Sequence, residues 1–172
     1  AIRLKRGLRS KLRIPIWQEF SFEWSISSSS LVYLWPADGK SNLYRVNPDS
    51  GESQTLTDHP DGVLDYSISP GQDQILYSYV DENGVSMIMA LDLQSLIATL
   101  VADCEDALCV LPQLSPSGDR LAYEVISRDP GTLPTIRILN LQDQSEMDLG
   151  EPDEHLETPL WSPTGWLVYY NR

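Results

Sequence analysis

Residues 69–79 read SPGQDQILYSY, and the phrase returns as SPSGDRLAYEV at 115–125 and as SPTGWLVYY at 162–170. The three serines are spaced by 46 and 47 residues. A fixed period of that size marks stacked supersecondary units, and it decides the fold before any single element does. One residue before the serine stand Ile68, Leu114 and Trp161; three before stand Tyr66, Pro112 and Pro159; five before stand Leu64, Val110 and Glu157. Apolar positions alternate with polar ones, as a half-buried strand requires. After the serine, Pro and Gly make a turn, and a second apolar run ends on Tyr77, Tyr123 or Tyr169. A fainter copy, FEWSISSSSLVYLW at 22–35, keeps Trp24, Ile26, Ser27 and Tyr33 but has lost the Pro and the Gly.

Each unit goes on in the same way. A polar turn (PADGKS, DENG or RDPGTLP) leads to a third alternating run, NLYRVN, VSMIMALDL or PTIRILNL. A further turn leads to a short fourth run, SQTLT, IATLV or SEMDL. Gly, Asp, Asn and Pro punctuate the runs because they accept positive φ or pre-set it near −65°. Four short strands in about 40–45 residues are the signature of a propeller blade. The fold class is therefore all-β, a β-propeller of four-stranded antiparallel blades. The recurring phrase is the corner between a blade's innermost strand and its second, with the serine bonding local backbone.

NLYRVNPDSGESQTLTDHPDG followed by YSISPGQDQILYSY resembles the WD-like repeat of TolB-type propellers, and PLWSPTGWLVYY resembles its next corner. The resemblance covers roughly residues 20–172. It implies a ring of six or more blades, an extracytoplasmic location and a role as a binding platform. It also reaches the non-catalytic propellers of prolyl-oligopeptidase-like peptidases. The blades fall at 20–57, 63–102, 110–149 and 155–171, the last with two strands. Residues 1–19 form a basic segment open to three readings. IRLKR and KLRIPI supply the missing strand pair of the last blade, Leu4, Leu8 and Leu12 make an amphipathic helix, or the segment is an arm. With no initiator Met and no apolar stretch after the basic residues, the start is not an intact secretory signal; the expectation is either a processed chain or, the preferred reading, a piece of a longer protein.

The charge is uneven. The chain carries a formal −13, yet residues 1–13 hold six of its twelve cations (Arg3, Lys5, Arg6, Arg9, Lys11, Arg13) and no acid. The rest sets six cations against 25 acids, a net of −19, and such a body repels a phosphate backbone, so nucleic acid is not an expected partner. No apolar run reaches the roughly 18 residues that span a bilayer.

Four chemistries come into question. Cys104 and Cys109 in DCEDALC sit between two blades. Two thiols do not complete a four-ligand zinc site, and His59 and His155 belong to other loops. A small disulfide-closed loop is the preferred reading and favours an oxidising compartment; two reduced thiols are the alternative. Acyl or peptide hydrolysis needs a nucleophile beside a base, but no G-x-S-x-G is present and the corner serines are explained by their turns. The chain is thus expected not to be an enzyme, and no cofactor is called for.

The third is a carboxylate face. Connections from a fourth strand to the next blade's first strand lie at one end of a propeller. They contribute Asp58 and Asp61, then Asp103, Glu105 and Asp106, then Glu151, Asp153 and Glu154. The turns between second and third strands add Asp38, Asp81, Glu82 and Asp129 against Lys40 and Arg128. The bland reading is that loops of an acidic protein are acidic. The functional reading is a docking face for a basic protein partner, or oxygen ligands for a divalent cation. Lastly, Tyr33, Tyr77, Tyr123 and Tyr169 read as core residues whose hydroxyls reach a polar edge, whereas Trp17, Trp35 and Trp166 have no fixed place in the repeat and suit a contact surface. The sequence points to a non-catalytic interaction module near the cell envelope, open to self-association or to further blades. Alternatives are a propeller accompanying a hydrolase domain and a sugar-processing propeller with central carboxylates.

Overall fold

The computed structural model describes residues 22–25, 29–37, 39–69, 73–151, 153–165 and 167–171. The three readings of residues 1–19, together with Trp17, Ser27, Asp38 and Trp166, lie outside the described residues. Fourteen strands are described and no helix. Strands β1 (Phe22–Ser25), β2 (Ser30–Ala37), β3 (Lys40–Val46) and β4 (Ser53–Thr55) make one antiparallel sheet in chain order. β5 (Val63–Ile68), β6 (Gln74–Val80), β7 (Ser86–Asp92) and β8 (Ala98–Cys104) make the second. β9 (Ala107–Leu114), β10 (Arg120–Ser127), β11 (Thr135–Asn140) and β12 (Glu146–Leu149) make the third, and β13 (Leu156–Trp161) pairs with β14 (Leu167–Asn171). Four-stranded meanders stacked face to face are propeller blades.

The corners do what their residues dictate. Gly118 N–H bonds Ser115 C=O at 2.9 Å and Gly165 N–H bonds Ser162 C=O at 2.9 Å, with φ of 76° and 85° at the glycines. Only glycine enters that region without strain. The Ser115 hydroxyl accepts Arg120 N–H at 3.1 Å and donates to Asp119 at 2.9 Å, so it is spent on its own turn.

The second strands of the second and third blades are covered on both sides. Ile75, Leu76, Tyr77 and Ser78 in β6 form one unbroken buried run, and Leu121, Ala122, Tyr123 and Glu124 in β10 form its counterpart. Both faces of the strand meet neighbouring blades, so the apolar–polar alternation of a one-sided sheet gives way to a continuous run. Tyr77 donates to or accepts from His59 at 3.1 Å, Tyr123 donates to Glu146 at 3.4 Å, and Tyr33 pairs with Ser53 at 3.2 Å. Tyr77 and Tyr123 thus fill core volume and bring their hydroxyls out to a polar partner, whereas Tyr33 is only half-buried and the side chain of Tyr169 lies outside the described residues.

Proline three residues before the corner serine is the other device. Pro112 and Pro159 are buried in innermost strands, which are sheet edges and tolerate a missing N–H. Beside them Leu111 and Thr158 take positive φ, 53° and 59°, and the pairing register slips there. The bulge turns an amide away from its own sheet. A carboxylate of the preceding blade receives it. Leu111 N–H donates to Asp65 at 2.9 Å, and Thr158 N–H donates to Glu124 at 3.1 Å. Between the first two blades, Ile68 N–H donates to Glu23 at 2.8 Å. Further bonds cross the same seams, from Tyr66 hydroxyl to Val32 C=O at 2.8 Å and from Trp161 Nε1 to Gln113 C=O at 2.8 Å.

Burial raises all three carboxylates above their ordinary range, against the lowering effect of the amide each accepts. Asp65 is pushed up to about 6, burial being the largest cause, with the amide of Leu111 and the Ser78 hydroxyl opposing it and the charge of Glu124 adding to it.

Two stability predictions follow from this packing. Gly62 has φ of 84° and a Cβ there would stand 2.8 Å from the Ser41 carbonyl oxygen. Gly131 has φ of 90° with nothing within 4 Å. Gly131→Ala should therefore cost only the backbone term, about 1 kcal/mol, and Gly62→Ala roughly twice that or more, as read from urea unfolding midpoints. The second concerns pH. A carboxyl whose folded pKa of about 6 exceeds its ordinary 3.8 binds protons more tightly when folded, so its stabilising contribution is complete below 3.8 and is lost as pH rises through about 6. Asp65→Asn keeps an acceptor for the Leu111 amide but cannot ionise. Its stability should fall less than the parent's between pH 4 and 7, by on the order of 2 kcal/mol. Parallel pH curves for the two proteins would refute this assignment.

Candidate functional site

The three connections from a fourth strand to the next first strand are built differently and share one end of the stack. The first, residues 56–62, is stapled by Asn42. Its side-chain oxygen accepts the Thr57 hydroxyl at 2.9 Å and His59 N–H at 3.0 Å, while Thr57 Oγ1 accepts Leu43 N–H at 2.9 Å. His59 stacks on Tyr79 with ring centres 3.8 Å apart. Burial pushes the His59 imidazole below its usual range, with the charge of Asp58 opposing it. The staple fixes the loop's path, and Asp58 and Asp61 are left exposed, with Lys40 3.7 Å from Asp61.

The second connection is much tighter than a loop spanning DCEDALC. Asp103 and Cys104 belong to β8 and Cys109 to β9, so Glu105 and Asp106 alone make the turn. Cys104 and Cys109 are joined by a disulfide across it, with Cα atoms 6.1 Å apart, and both sulfurs are buried among the residues packed between the second and third blades. Asp103, Glu105 and Asp106 are exposed. Arg128 N–H reaches Asp106 C=O at 3.4 Å, and the Arg128 guanidinium donates to Gly84 C=O. The turn is thereby tied to the β6–β7 and β10–β11 turns on the same end.

In the third connection, 150–155, Glu154 is not a free acid. Its carboxylate accepts Glu151 N–H at 3.0 Å, its own N–H donates to Glu151 C=O at 3.0 Å, and it is half-buried. Glu151 and Asp153 are exposed. Leu156 N–H donates to Pro134 C=O at 3.0 Å, which docks this connection on the β10–β11 turn. Of the turns between second and third strands, Asp81 serves its own loop. It accepts Val85 N–H at 2.8 Å and Asn83 N–H at 3.0 Å, bonds that lower its pKa.

The arrangement is a rigid end carrying solvent-facing carboxylates, with Lys40 and Arg128 as the cations found in these turns. Among the described residues, no three of His, Cys, Asp and Glu come together as metal ligands. His59 is held by Tyr77 and Tyr79, and His155 lies 3.2 Å from Glu157, so neither imidazole meets a corner serine. Trp35 is half-buried and packs edge-on against Tyr33, ring centres 6.4 Å apart. The carboxylates at the blade seams escaped the sequence reading. Their signal was a polar residue at positions the repeat makes doubly buried, Ser78 and Glu124 directly after the repeated tyrosine.

No family model and no curated protein sequence matches the chain. Solved structures do. TolB from Acinetobacter baumannii is 18% identical with a TM-score of 0.70, over 90% of this chain and 38% of that one. An oligogalacturonate lyase in complex with manganese is 12% identical with a TM-score of 0.69, over 88% of this chain and 45% of that one. The β-propeller domain of the Trilobed protease from Pyrococcus furiosus is 16% identical with a TM-score of 0.52, over 77% of this chain and 41% of that one. This chain spans less than half the length of each. With its antiparallel four-stranded sheets stacked in sequence, the chain has a TolB-like β-propeller fold.

Proposed function

We propose that the chain is a non-catalytic interaction module whose acidic end docks a basic protein partner in an extracytoplasmic compartment. The observation that carries the reading is the set of exposed acids, Asp58, Asp61, Asp103, Glu105, Asp106, Glu151 and Asp153, on connections that are each stapled to the blades. Fixed charges lose little freedom on binding and raise the encounter rate with an oppositely charged surface. The Cys104–Cys109 disulfide supports the compartment, since such bonds persist where thiols are not kept reduced. The Ser115 and Ser162 hydroxyls bond side chains of their own turns and the Ser69 hydroxyl is buried, with neither histidine beside it, which supports a non-catalytic role.

A second reading is a propeller beside a peptidase-type hydrolase domain. What favours it is the likeness to the propeller domain of the Trilobed protease. In that reading the same acidic end would select or orient peptide rather than hold a protein.

Charge reversal tests the first reading. Replacing Asp103, Glu105, Asp106, Glu151 and Asp153 by Lys should weaken binding to an oligolysine peptide by roughly a hundredfold at low salt, measured by calorimetry, with unchanged far-UV circular dichroism. Parent binding should itself fall steeply between about 50 and 300 mM NaCl. Equal affinity of parent and reversed protein would defeat the proposal.

A further inference from the structure

The outer edges of the three complete blades are unequal. β4 is three residues long and carries only Ser53, Gln54 and Thr55. β12 is four residues long, and Glu146 and Asp148 stand on it, both gripped by Arg137 at 3.1 and 2.6 Å. Short, charged edge strands are how sheets avoid pairing with another chain. β8 is longer and less guarded. It is seven residues long; its first five residues, Ala98 to Ala102, end a stretch, residues 93–102, without a charge, and Asp103 near its end is the one acid on it. Ile97 and Leu100 are 62% and 52% exposed, and Leu96 just before them is 38% exposed.

We propose that this edge pairs with the same edge of a second copy of the chain. The backbone fixes how. Ile97 C=O accepts Asp92 N–H at 3.1 Å, and Thr99 stands opposite Ala90 in the β7 ladder, so residues 97 and 99 bond inward. By the alternation of an antiparallel strand, Ala98 and Leu100 turn their N–H and C=O groups outward. Two copies related by a two-fold axis through Thr99 set Ala98 of each against Leu100 of the other, which closes two pairs of hydrogen bonds. Thr99 faces Thr99, a favourable cross-strand pair. Asp103 falls opposite Ser95, and no acid meets an acid.

Charge selects the second copy as occupant and this edge as the place. Two copies of −13 each repel over most approaches; β12 presents acids, β4 is uncharged but only three residues long, and the run from Leu93 to Ala102 is the longer edge where a self-contact carries no like-charge penalty. The same operation on β12 about Met147 would set Glu146 against Asp148, two acids directly opposed. The contact is isologous and closes on itself, so it stops at a dimer.

Sedimentation equilibrium of the 172-residue chain tests this. The mass should rise with protein concentration from 19.4 kDa toward twice that value. Raising NaCl should tighten the dimer, because it screens the repulsion of the two bodies. Thr99→Lys and Leu100→Lys, at exposed side chains, should each weaken association, the first by about tenfold or more because two lysines then face one another directly, the second less because its lysine faces Ala98 and meets its twin only on the diagonal. Met147→Lys on the β12 edge should leave it unchanged. In the parent alone, hydrogen exchange at Ala98 and Leu100 amides should slow as concentration rises, a readout independent of any variant's folding. A monomer at every concentration would overturn the proposal, as would a dimer that Thr99→Lys leaves intact. A dimer weakened by salt would also overturn it and would assign the contact to cations against the acidic end.

Discussion

Everything in this molecule depends on strands that are buried from both sides. β6 and β10 have no solvent face, because each is sandwiched between its neighbours across and along the stack. A single blade would therefore expose a full apolar surface on each side, and no blade is a stable object alone. The same constraint explains the carboxylates. Once a strand's edge amide is turned into the seam between blades by a bulge, it has lost its water and needs an acceptor. Asp65 and Glu124 supply it from different strands of their blades, one innermost and one second. The position after the repeated tyrosine is Ser78 in one blade and Glu124 in the next, and Ser78 donates to Asp65 at 2.7 Å. Two blades thus meet the same demand at successive seams by different routes: the amide sets the requirement and the side chain follows.

The sequence made the fold legible because the demands of a corner are chemical and local. Ser, Pro and Gly at fixed offsets report a turn with one positive φ, and the apolar runs around it report strands. The tyrosines could be placed for the same reason: a large ring with one polar atom fits a buried strand close to an edge. The seams were less legible. Glu124 reads as an ordinary polar residue of an alternating strand until both faces of β10 are known to be covered. Pro112 and Pro159 read as apolar members of an alternation, whereas their place is a bulge at a sheet edge. The second connection was read as a loop, but strand pairing runs up to Cys104 and resumes at Ala107, because the two blades pack closely enough for a two-residue turn. The acids at the loop end were identifiable by position, yet their separate duties were not. Glu154 caps an amide and Asp81 organises a turn, and backbone geometry alone tells such residues from those free to meet a partner.

Scaffold and surface divide cleanly in this architecture. Packing terms sit in the second strands and at the seams, and the exposed acids contribute little to them, so the loop end can change its charge without disturbing the blades. That independence is what lets one fold host unrelated activities, and the solved structures that resemble this chain include a lyase and a protease's propeller domain.

The disulfide has a consequence for the chain as a covalent object. Glu105 and Asp106 are its exposed hairpin, bracketed by Cys104 and Cys109. A protease that cut between them would separate nothing: the sulfur bridge would still join the outermost strand of one blade to the innermost strand of the next. The polypeptide would be nicked at the turn between these two blades, and its mass under non-reducing conditions would grow by one water. Only a reductant would then reveal two fragments, so the stack stays continuous through its side chains across this exposed turn.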